Sequence, residues 1–146
     1  MAFENWLTHI VRARRICTIA IEGAVPVKGL TNLDVLLWLR GTELIVRKTV
    51  AANNMKLMIV GVGTWRSYFI GRAHAPKADS ETGELLDTPN KRRKWLKQRT
   101  IKRCRELSYD PQDDNAADAL GLLEYCLACF DPKNGMDPNE LYAEAA

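Results

Sequence analysis

The chain has 146 residues, 47% of them hydrophobic and 27% charged, with a formal net charge of +3 and four cysteines. That length and composition predict one buried core rather than two domains, and they argue against a disulfide scaffold. No apolar run is long enough to span a bilayer and no secretory leader is visible, so a cytoplasmic protein with reduced thiols is expected.

In chain order, Phe3, Trp6, Leu7, Ile10 and Val11 recur at the i, i+3, i+4, i+7, i+8 spacing of an amphipathic helix, closed by the basic stretch 12–15. Residues 16–21 (ICTIAI) form a short β-branched apolar run, the pattern of a strand buried on both faces. A long helix is expected over about 30–52, starting at Thr31 or Asn32, and a second buried strand over 56–62, ending in Gly61 and Gly63. Strand, helix, strand with so long a connection predicts a parallel pair with a right-handed crossover. Trp65 and Arg66, in GTWRSYF, follow as a loop able to stack on exposed bases; Trp65, Tyr68 and Phe69 can equally pack on the sheet, and Phe69 suits a core position best. Segment 74–90, with Pro76, Gly83 and Pro89, reads as a mobile surface insertion. The last two helices are expected over about 90–107 and 114–130, followed by a tail in which Asp131, Asp137, Glu140 and Glu144 outnumber Lys133.

Three features carry chemistry. Nine cations lie in sixteen residues: Lys91, Arg92, Arg93, Lys94, Lys97, Arg99, Lys102, Arg103 and Arg105, with Glu106 the one acid. Such a run is a solvated helix face or a surface for a phosphate backbone, and its density suits the second. No apolar stripe opposes the charge, which disfavours a membrane-surface helix. Asp114 and Asp118 stand four apart in PQDDNAADALGLL, at the start of a helix whose buried stripe is expected to be Ala117, Leu120, Leu123 and Leu127. On one face of a helix the two carboxylates either cap free N–H groups or share a hard divalent cation. Glu22 ends the first strand, where open α/β sheets gather their chemistry, although a lone acid there is also an ordinary loop residue. Three such acids could share two metal ions about 3.5–4 Å apart, the arrangement that cleaves phosphodiesters. Cys126 and Cys129 form a CxxC without a second pair and read as core cysteines; His9 reads as a surface residue and His74 has no partner at ligand spacing.

An apolar strand ending in Ile-Glu, a second strand leading to VGVG, a basic helix and then DDNAADALGLL together resemble the RuvC-type Holliday junction resolvases of the RNase H-like superfamily, phage and prophage members above all. The resemblance runs from about Phe3 to Phe130. It implies an α/β RNase H-like sheet with flanking helices, a partial domain over 1–130, and metal-dependent cutting of branched DNA by a homodimer in a bacterial or phage-infected cell. It also implies Mg²⁺ or Mn²⁺ ligated by Glu22, Asp118 and a third acid. That third acid falls on Asp114, with Asp113 beside it and strict three-residue spacing landing on Asn115. Lys91 or a neighbour matches the family's catalytic-site lysine, with Arg92, Arg93, Lys94, Lys97, Arg99 and Lys102 on phosphates. Family members carry a first metal-binding Asp on a strand ahead of the first helix, and this sequence opens at that helix. The expectations are therefore weak metal binding, an open hydrophobic sheet edge, and a rival reading as a catalytically defective nucleic-acid-binding or assembly protein.

Overall fold

Parallel pairing of two short strands anchors the first part of the chain, in a computed structural model that describes residues 2–23 and 33–130. Among these residues the order is α1 (Ala2–Arg14), β1 (Thr18–Glu22), α2 (Leu33–Ala52), β2 (Lys56–Val60), α3 (Val62–Ile70), α4 (Pro89–Glu106) and α5 (Asp114–Phe130). The class is α/β. Where composition suggests a single core, the chain gathers into two compact units, Met1–Gly61 and Val62–Ala146. The proposed helix start at Thr31 or Asn32 and the acidic tail lie outside the described residues.

In the first unit Thr18 pairs with Lys56 and Glu22 with Val60, in unbroken parallel register, as the strand–helix–strand spacing requires. Leu7 and Val11 of α1 and Val46 and Val50 of α2 are buried together against Ile19, Ile21 and Leu57. Burial of the strands on both faces is not realised. Most strand residues are only half-buried and Ile59 is 43% exposed, because two helices pack on the core side of a two-stranded sheet and leave the rest open. Phe3 and Trp6 likewise stack on each other at 5.8 Å near the surface instead of entering the core. The helix α2 gives way to β2 at Asn54, which takes the left-handed conformation (φ 50°) that asparagine tolerates.

The second unit holds a helix that the sequence pattern conceals. Strand β2 stops at Val60, and the residues expected to form a loop make α3. Trp65, Tyr68 and Phe69 stand at i, i+3 and i+4, so one helical face buries all three. With Thr100 and Cys104 of α4 and Ala117 of α5 they are among the most deeply buried side chains of this unit, where α3 packs on both α4 and α5.

The buried stripe of α5 is Ala117, Gly121 and Cys126, while Leu123 and Leu127 are 47% and 44% exposed. The physical reason is Gly121. A Cβ there would come within 2.7 Å of the Trp65 ring and 2.9 Å of the Phe69 ring, so the bare backbone is what lets α3 approach. Cys126 is a core cysteine as expected, but Cys129 is exposed.

Between α3 and α4 the expected mobile insertion contains a tied turn. Ala78 and Leu85 form an antiparallel bridge, and the Asp79 N–H donates to the Glu84 carbonyl and the Glu81 N–H to Asp79 Oδ1, both at 2.9 Å. Leu86 is buried and anchors the segment. Thr88 then caps α4 by accepting from the Lys91 N–H, with Pro89 at the first helical position.

Candidate acidic site and basic helix

Three neighbouring acids open α5, and they divide the work. Asp113 is the cap: its Oδ1 accepts from the Ala116 N–H at 2.7 Å and its carbonyl from the Ala117 N–H at 3.1 Å. That frees Asp114 and Asp118 from capping. Asp118 accepts from Arg66 of α3 at 2.9 Å through Oδ2, and Asp114 is paired with Lys97 of α4. Burial pushes the Asp118 carboxyl above its ordinary range, opposed by Arg66 and reinforced by the negative charge of Asp114. Asp114 is held below its ordinary range, chiefly by its hydrogen bond from Lys97. The two carboxylates thus sense each other, as residues one helical turn apart should.

The α3 helix decides the fate of Trp65 and Arg66. Trp65 is wholly buried, so in this fold it presents no face to a base, and its expected stacking role is corrected to a core role. Arg66 lies over the Trp65 ring at 5.0 Å and reaches Asp118, its side chain only 18% exposed. It is a partner of the acid more than a surface contact.

The lysine brought to the acid pair is Lys97, not Lys91. Lys91 turns the other way, pairing with Asp87 at 3.3 Å and Glu84 at 3.4 Å, and these carboxylates raise its pKa. The signal for Lys97 was present, since it lies on a different face of α4 from Lys91, but four adjacent cations hid it. Much of the basic helix is likewise partnered. Arg99 and Lys102 both bind Glu81, Arg103 binds Glu106, and the Arg92 Nε–H donates to the Leu86 carbonyl. Arg93, Lys94 and Arg105 are exposed. Glu22 is exposed at the carboxyl end of β1, in the first unit, opposite Val60 in register.

A divalent cation finds a partial match at the acid pair. The donors are hard oxygens, suited to Mg²⁺ or Mn²⁺, and Asp118 Oδ1 is buried with no hydrogen-bond partner. Against this, both acids are already neutralised by cations, and among the described residues no three His, Cys, Asp or Glu side chains gather to hold a metal. The pair therefore fits as part of a ligand set and does not complete one.

No protein-family model matches the chain, and a search of curated proteins gives no match. Among the described residues no helix is long and apolar enough to cross a membrane.

Proposed function

We propose that the chain is a nucleic-acid-binding protein of the RNase H-like resolvase type, acting on branched DNA as a metal-dependent endonuclease. The observation that carries this reading is the placement of the Asp114–Asp118 pair, with its orphaned Oδ1, beside Lys97 of the basic helix. Carboxylates next to a phosphate-binding helix are the groups that phosphodiester hydrolysis needs.

In this reading Asp114 and Asp118 supply two of the oxygen ligands for Mg²⁺ or Mn²⁺, which when bound would supply the Lewis acid for hydrolysis. Arg93, Lys94 and Arg105 hold phosphates on the exposed side of α4. Lys97 and Arg66 neutralise the acids while no cation is held, which keeps like charges from repelling. Homodimerisation belongs to the same proposal, since a junction presents two symmetric strands.

The ion pairs at both aspartates favour a second reading, a catalytically defective relative that binds DNA without cutting it. A cleavage assay on a four-way junction with Mg²⁺ or Mn²⁺ separates the two. Cutting that Asp118→Asn abolishes supports the nuclease; salt-sensitive binding without cutting supports the binder. Binding to no nucleic acid at all removes both.

A further inference from the structure

The second unit contains a cavity of about 350 Å³ between the tied turn and α4, on a side of the helix not used by the acid pair. Ligand clefts begin at about 300 Å³, so this one is the size for a single small unit. Its walls combine the Trp95 indole and Ile70 with Gln98, Arg99 and Lys102, and Glu81 reaches in from the turn.

The chemistry at one end is specific. Arg99 and Lys102 converge on the same oxygen of Glu81, Oε1, at 2.8 and 2.6 Å. Two cations focused on one oxygen make a receptor for a singly charged anion, and here the protein's own carboxylate fills it. Those cations hold the Glu81 carboxyl below its ordinary range, Lys102 chiefly. The turn does not need that carboxylate. It is closed by the Asp79–Glu84 and Gly83–Asp79 backbone bonds, by the Asp79 side chain and by buried Leu86. The Glu81 side chain is 56% exposed, and exposed ion pairs contribute little to stability, so a competing anion can displace it at low cost. Beside the receptor stands an aromatic wall.

We propose that this cavity binds one nucleotide unit of a single strand, its base against Trp95 and its phosphate on Arg99 and Lys102, in the place held by the Glu81 carboxylate. A phosphodiester carries the same single charge as Glu81, and an aromatic face beside paired cations is the arrangement that takes unpaired nucleotides irrespective of sequence. Glu81 then acts as a built-in competitor that lowers affinity for strands lacking a stackable base. The proposal rests on the reading of α4 as a nucleic-acid surface and specifies a subsite on it.

The test is fluorescence anisotropy with a labelled ten-residue oligothymidylate, using the full chain. Glu81→Gln should tighten binding by about 3–10-fold, as removing a competing charge predicts. Lys102→Gln, on an exposed helical position that threatens no packing, should weaken it by at least about 3-fold. Trp95→Leu should weaken it by about 5–100-fold, the range of one lost stacking contact, with Trp95→Phe retaining most of the affinity. Thymidine 5′-phosphate should displace the strand at well below the concentration of inorganic phosphate required. Equal displacement by the two overturns the base-stacking claim. If Glu81→Gln and Lys102→Gln leave affinity unchanged while Arg93→Gln and Lys94→Gln lower it, this subsite is overturned and the wider reading of α4 stands. If neither the oligothymidylate nor a four-way junction binds wild type or Glu81→Gln, both fall together.

Discussion

Asp118 carries a charge that its surroundings resist. Its side chain is 28% exposed, one oxygen has no partner, and the other depends on Arg66. Because burial raises its folded pKa above the unfolded value, the native state binds this proton more readily than the unfolded chain does. The stability that Asp118 contributes is therefore present below the unfolded pKa and is lost as pH rises through the folded one. Removing Arg66 should worsen that loss. We expect Arg66→Met to cost about 1–3 kcal/mol at pH 7, by stranding a half-buried carboxylate. The cost should shrink toward pH 4, where more of Asp118 is protonated; urea unfolding at the two pH values measures it, and a penalty independent of pH would show that packing on Trp65 matters more. Asp118→Asn keeps an oxygen for Arg66 and removes the desolvated charge, so its stability at pH 7 should stay within about 1 kcal/mol of wild type. A larger fall would favour a structural role for the pair, with no bearing on metal or DNA.

At the level of elements, α3 and α5 fix each other through Gly121. An added methyl must displace the Trp65 and Phe69 rings, which are themselves fully buried and have nowhere to move. Gly121→Ala should therefore destabilise the protein by about 1–3 kcal/mol despite raising helix propensity, and thermal unfolding would register it. An unchanged or raised melting temperature would mean that the rings repack freely. The same contact explains what the sequence conveyed and what it withheld. The two strands and their parallel pairing were legible because β-branched runs around a long helix leave few alternatives. Helix α3 was not, because Gly61 and Gly63 read as a strand end followed by a loop, although Trp65, Tyr68 and Phe69 already stood at helical spacing. The stripe of α5 was misplaced because leucines suggest burial more strongly than glycine and alanine do. Here close helix packing selects the small residues and leaves Leu123 and Leu127 outside. The acid pair was legible as a pair, but its partners Lys97 and Arg66 come from other helices, and no local spacing announces them.

For the whole molecule, the formal charge of +3 understates and the nine cations near α4 overstate what a phosphate backbone would meet. Five of the nine, Lys91, Lys97, Arg99, Lys102 and Arg103, are paired with carboxylates. Each phosphate neutralised on duplex DNA contributes about −0.9 to the slope of log K against log salt. If all nine cations engaged phosphates the slope would lie near −8; with the paired ones occupied by their own acids it should lie near about −3 to −4. A titration of junction binding across salt concentrations distinguishes these values. Glu81→Gln supplies the internal control, since freeing Arg99 and Lys102 from their shared acid should steepen the slope by about 1–2. A steep slope in wild type that this substitution does not alter would mean that the ion pairs of α4 open at no cost when DNA arrives, and that its acids exert no restraint on binding.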